Sequence, residues 1–207
     1  MRFCQSLFSR LFVFRFSLRF FPRYDTIAVL LIIGRDAALP NCLFIDACMR
    51  DNSRTLAFAR ELLPGFSPVT VTRVLRQQPL PPTTYESTLL RNRLAEQEQW
   101  SHPLLIPARE FALADEIIIA APYWNLGFPA LLGAYLEHVC AVGVTFGYDS
   151  ENRCIPLCRA KALHYITTAG GRIPEGGWLG YHYLQALCQS FFGIPQTTLH
   201  TRQALDL

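Results

Sequence analysis

The stretch CMRDNSRT, residues 48–55, sets two hydroxyls, Ser53 and Thr55, two positions apart, with Arg50 and Arg54 beside them. Hydroxyl and guanidinium donors at that density suit an anion, because charge-assisted hydrogen bonds are roughly twice as strong as neutral ones. A helix pattern opens at the same place, and the unsatisfied N–H groups of a helix N-terminus also favour negative charge. Asn52 or Ser53 would serve equally as a plain helix cap. A cap leaves the two arginines unexplained, since the macrodipole disfavours cations at that end. The expected chemistry is a phosphate cradle made without a glycine-rich loop.

Two other stretches offer different chemistry. APYWNL, residues 121–126, ends an apolar run with Pro122, two aromatic rings, an amide and Leu126. Tyr123 and Trp124 supply flat walls, and Asn125 both donates and accepts. The alternative is a corner whose rings fold back on the core. TTAGG, residues 167–171, combines Thr168, Ala169, Gly170 and Gly171. Small residues let a backbone approach a planar ligand and aim N–H groups at its edge. An ordinary turn would read the same way. GRIPEGGW follows, a glycine-rich loop long enough to cover a site.

All three stretches must be positioned by secondary structure, and the pattern says how. Residues 42–48, 115–122 and 161–171 are apolar runs of the kind that form buried strands. Residues 68–74 and 195–201 read as two more strands. Residues 53–63, 84–100, 128–142 and 179–194 are helical by spacing or composition, with Pro64-Gly65 and Gly193 as stops. Strands alternate with helices, which predicts a mostly parallel α/β sheet covered on both faces. Such sheets bind ligands at the carboxyl ends of their strands. The three stretches all fall there. A phosphate cradle, an aromatic wall and a backbone rim together fit flavin mononucleotide (FMN). The chain has no G-x-G-x-x-G, so a dinucleotide held in the Rossmann manner is not expected.

Composition bounds the reading. A chain of 207 residues, 51% hydrophobic, is enough for one compact domain. The net charge of +3 comes from Arg2, Arg10, Arg15, Arg19 and Arg23, which precede any acidic residue. Basic residues cluster on no other face, so no nucleic-acid partner is expected. Seven cysteines, several in apolar runs, point to buried thiols in a reducing cytoplasm. Their spacing completes no metal site. Residues 1–40 differ from the remainder. They fit an interfacial membrane segment, a targeting segment or translated sequence outside any fold. We place them outside the fold and the domain at 41–207.

The segments LFIDACMRDNSRTL, APYWNLGFPALLGAYLEHVCAVGVTFGY and LCRAKALHYITTAGG resemble the FMN-dependent NADH-azoreductase and NAD(P)H–quinone reductase group of flavodoxin-like proteins. The resemblance covers roughly residues 41–207. It implies a flavodoxin-like, doubly wound parallel five-stranded sheet in the order 2-1-3-4-5. It also implies bound FMN, NADH or NADPH as donor, and a homodimer. Ser53, Arg54 and Thr55 match the family's phosphate loop, with Arg50 beside them. Tyr123, Trp124, Asn125 and Leu126 match the loop along the flavin, after Pro122. Thr168, Ala169, Gly170 and Gly171 match the third loop, with Ala169 where an azoreductase often has Arg. The family carries a further helical stretch where this sequence reads TRQALDL, so a C-terminal shortening is expected. The implied activity is two-electron, ping-pong reduction of quinones or azo- and nitro-type aromatic acceptors. The chemistry belongs to the flavin, so no catalytic side chain is named. The alternative is a flavodoxin-like electron carrier or a non-catalytic FMN-binding protein.

Overall fold

The computed structural model describes residues 42–206. Residues 1–40, placed outside the fold above, lie outside the described residues, as does any stretch beyond 206. Five strands form one sheet: β1 (Cys42–Asp46), β2 (Val71–Val74), β3 (Glu116–Ala120), β6 (Ala162–Thr168) and β7 (Gln196–Arg202). Their order is β2-β1-β3-β6-β7 and every neighbouring pair is parallel. Counting sheet strands only, this is the expected order 2-1-3-4-5.

Side chains alternate along each strand and pack on two different layers. Cys42, Phe44, Ile118, Ala120 and Ile166 meet Leu56, Phe58 and Ala59 of α1 (Arg54–Leu62) on one face. Leu43, Ile45, Ile117, Ile119, Leu163 and Tyr165 face a larger core. That core takes Phe111 from α3 (Ile106–Leu113), Leu132 and Tyr135 from α4 (Ala130–Val139), and Leu184 from α5 (Leu179–Leu187). Because both faces are covered, the strands read as continuous apolar runs. The polar helix α2 (Tyr85–Glu96) opens with a capping box between Thr84 and Ser87. It buries little beyond Leu94 and Ala95.

Two elements have no counterpart in the sequence reading, the short helix α3 and a hairpin. The crossover from α4 to β6 carries an antiparallel hairpin, β4 (Phe146–Tyr148) with β5 (Cys154–Pro156). Asp149 shapes its turn by accepting from the N–H groups of Glu151 and Arg153 at 2.8 and 2.9 Å. Gly193, at φ +66°, ends the wide turn that extends α5. A Cβ there would lie 2.5 Å from Pro156, so backbone shape and hairpin packing both require glycine.

On the α1 side of the sheet a polar chain crosses three strands. His164 contacts His200 at 3.2 Å and Glu116 at 3.1 Å, and Glu116 accepts from the Ser67 N–H at 3.0 Å. Phe66 packs against both imidazoles, tilted to His164 and edge-on to His200. Burial, then the neighbouring His164, holds His200 below its ordinary value of 6.5. The unfolded chain therefore takes up this proton first as pH falls. The stability tied to neutral His200 is present above about pH 6.5 and is lost below it. We expect the denaturant midpoint to fall between about pH 7.5 and about pH 5.5, and His200→Gln to flatten that fall. An unchanged slope in the variant would assign the acid sensitivity elsewhere.

Candidate active site

The carboxyl ends of β1, β3 and β6 border a cavity of about 480 Å³. Ligand pockets of small molecules and cofactors typically span about 300–1,000 Å³. The cavity takes residues from each of the three stretches singled out by their chemistry.

At one end lies the loop from β1 to α1. Arg50, Ser53, Arg54 and Thr55 line the cavity, together with Met49 and Asn52. Ser53 is the N-cap of α1, and its Oγ accepts from the Leu56 N–H at 3.3 Å. The cap occupies an oxygen lone pair and leaves the hydroxyl proton to donate, so cap and anion ligand are compatible roles. Thr55 is buried and its Oγ1 lies 2.6 Å from Thr168 Oγ1, which joins the helix start to the third loop.

A network beneath holds this loop. Asp46, 3% exposed at the end of β1, accepts from the Cys48 N–H at 2.9 Å and from Arg76 at 2.7 Å. Arg76 comes from the turn just after β2 and also donates to the Cys48 carbonyl and to Asp51. Burial pushes the nearby Cys48 thiol up to about 12. It is thus a neutral thiol, not a nucleophile.

The aromatic wall comes from the second stretch. Pro122, Tyr123 and Trp124 line the cavity. The Tyr123 N–H donates to the Thr168 carbonyl at 3.1 Å, and its hydroxyl donates to the Gly177 carbonyl at 3.0 Å. Its ring meets Trp178 edge-on. The GRIPEGGW loop is thereby fastened to the wall. Asn125 and Leu126 do not line the cavity. They form the tip of a tight turn closed by Trp124 and Gly127, with φ of +50° and +66°. Leu126 is 61% exposed there. Positive φ at two central residues is the hairpin-turn geometry, which Asn accepts readily and Leu does not.

The third stretch is divided in the same way. Thr168 and Gly170 line the cavity, whereas Ala169 and Gly171 do not. Ala169 is buried, and its N–H donates to the Arg202 carbonyl at 3.0 Å. That amide belongs to the sheet and is not offered to a ligand. Residues 203–206 then turn back over this loop. Ala204 and Asp206 donate from their N–H groups to Gly171 and Gly170, each at 3.0 Å. Asp206 lines the cavity and accepts from Arg54 at 2.6 Å. Nothing in the local sequence around Asp206 marks it as part of the site.

Residues 40–201 match the family of flavodoxin-like fold. The chain belongs to that family. Within this flavodoxin-like family, it is 39% identical over 110 residues to an FMN-dependent NADH:quinone oxidoreductase 2 of Clostridium acetobutylicum, covering 51% of this chain and 54% of that protein. It is 40% identical over 112 residues to an FMN-dependent NADH:quinone oxidoreductase of Clostridium perfringens, covering 54% and 56%. The chain thus spans about half the length of the curated relatives it matches. Among solved structures, an FMN-dependent NADH-azoreductase from Bacillus anthracis in complex with FMN aligns with a TM-score of 0.63 at 17% identity, over 80% of this chain and 88% of that one. An NAD(P)H:quinone oxidoreductase from Methanothermobacter marburgensis aligns with a TM-score of 0.58 at 15% identity, over 81% and 88%. These likenesses establish the shared flavodoxin-like fold.

The residues present fit FMN. One end of the cavity holds two guanidinium groups, two hydroxyls and the first turn of a nine-residue helix, a donor set suited to a phosphate. The adjoining wall is aromatic, and Thr168, Gly170 and the Asp206 side chain complete the lining. Among the described residues, no group of His, Cys, Asp or Glu is placed to hold a metal ion.

Proposed function

We propose that the protein is an FMN-dependent NAD(P)H oxidoreductase. It reduces quinones or azo- and nitro-type aromatic acceptors by a two-electron, ping-pong cycle with NADH or NADPH as donor. The observation that carries this reading is the single cavity where a cationic, hydroxyl-rich helix start meets two aromatic side chains at the carboxyl ends of adjacent strands. The names of the relatives with 39% and 40% identity point the same way.

Bound FMN supplies hydride acceptance and donation. The chain's residues supply position. Arg50, Ser53, Arg54 and Thr55 hold the phosphate end. Tyr123 and Trp124, with Pro122, restrict the space beside the ring, so that donor and acceptor use one slot in turn. Thr168 and Gly170 border the opposite edge. Asn125 and Leu126, at the exposed turn, belong to the mouth of the slot, where an acceptor enters. Ala169 and Gly171 shape the backbone under the third loop.

The wider assignments belong to the same proposal. The active form is a homodimer in the cytoplasm, the partners are small aromatic acceptors and not nucleic acid, and residues 1–40 lie outside the fold. Among the described residues, no helix is long and apolar enough to cross a membrane.

The test is one titration. The purified full chain, supplied with FMN, should show a bound-flavin spectrum that NADH or NADPH bleaches and a quinone restores, with continued nicotinamide consumption. A bound flavin that neither nicotinamide bleaches would make the protein a carrier or a non-catalytic binder. Failure to bind FMN at all would overturn the reading.

A further inference from the structure

We propose that Asp206 is an internal anion that competes with a ligand's phosphate for Arg54, so that the segment following β7 sets the preference between phosphorylated and unphosphorylated flavin. The proposal rests on the reading of the cavity as a flavin site.

Three features make a seat for this carboxylate. Arg54 donates from Nη1 to Asp206 Oδ1 at 2.6 Å and to the Leu205 carbonyl at 2.9 Å, so one nitrogen of the guanidinium at the cavity is engaged and its charge is paired with a carboxylate. Gly170 provides the space: a Cβ on it would lie 1.8 Å from Asp206 Oδ2. The backbone fixes the approach, with Ala204 and Asp206 donating to Gly171 and Gly170. Ala204 adopts φ +62°, which a residue other than glycine holds only when its surroundings over-determine it. The Arg54 hydrogen bond, then the charges of Arg54 and Arg50, keeps the Asp206 carboxyl below its ordinary range, so it is an anion at neutral pH.

A phosphate that enters this end meets a cation already paired and a carboxylate of its own sign. Binding must move Asp206 away from Arg54 or accept the repulsion. The pair is about half exposed, with side chains 53% and 64% accessible. Solvent therefore screens it and keeps the barrier modest, so Asp206 tunes affinity without closing the site. A ligand without a phosphate does not need Arg54 and feels neither effect.

The experiment compares the full chain with Asp206→Asn, titrating FMN, riboflavin and inorganic phosphate. The expected result is FMN bound roughly threefold to thirtyfold more tightly by the variant, with riboflavin changed by less than about twofold. Thermal midpoints without ligand check that both proteins are folded. Unchanged or weaker FMN binding in the variant would overturn the proposal and make Asp206 a support that orients Arg54. If the parent binds no flavin, the cavity reading fails by itself. The phosphate arm then decides the competition: phosphate should raise the melting temperature of Asp206→Asn more than that of the parent, and equal shifts would refute it.

Discussion

Arg76→Met is expected to lower the unfolding free energy by about 3 kcal/mol, although Arg76 does not line the cavity. Asp46 is almost fully buried at the end of β1, where its carboxylate accepts from Arg76 and from the Cys48 N–H. Removing one partner of a buried ion pair strands the other charge away from water, which costs about 3–5 kcal/mol. The lower end applies because the Arg76 side chain is 19% exposed, so water partly replaces it. The loop from Cys48 to Ser53 also loses the donor that ties its carbonyl and Asp51 together, so flavin affinity should fall with stability. Denaturant unfolding and an FMN titration on the same variant measure both. Adding Asp46→Asn should recover part of the loss by removing the stranded charge. A variant as stable as the parent would mean that Asp46 is satisfied by solvent or by the Cys48 N–H alone.

The second large effect concerns the cradle itself. Ser53→Ala with Arg54→Glu should weaken FMN binding by at least about tenfold and riboflavin binding far less. The double change deletes a hydroxyl donor and reverses a charge at the start of α1, beside Asp206. Loss of the cap alone should cost about 1 kcal/mol of stability. Unfolding must therefore be measured alongside, so that a weaker fold is not taken for a weaker site. FMN held as tightly as in the parent would place the phosphate elsewhere and leave Ser53 as a cap only.

Much of this architecture was legible in the sequence for a simple reason. A strand buried on both faces must be apolar along its middle, as residues 42–45 and 117–120 are, and the strand–helix alternation then leaves a parallel sheet with crossovers. The loops at the strand ends follow from that frame, so local residue types sufficed to single out Ser53, Arg54, Tyr123 and Thr168. The hairpin of β4 and β5 escaped because its two strands have three residues each, too few for a period to register.

Only the tertiary structure decided which residues of each loop meet in the cavity. Asn125 and Leu126 carry the right chemistry by type, but a turn with two positive φ values lifts them to an exposed tip. Ala169 follows Thr168 directly, yet its N–H belongs to the ladder with β7. Arg76 and Asp206 enter from 30 residues beyond Asp46 and 152 residues beyond Arg54. Hydrophobic periodicity reports which face of an element is buried, and it carries no information about a charged side chain arriving from a distant element. That information exists only once parallel strands bring the ends of β1, β2, β6 and β7 to one edge of the sheet and residues 203–206 fold back across them.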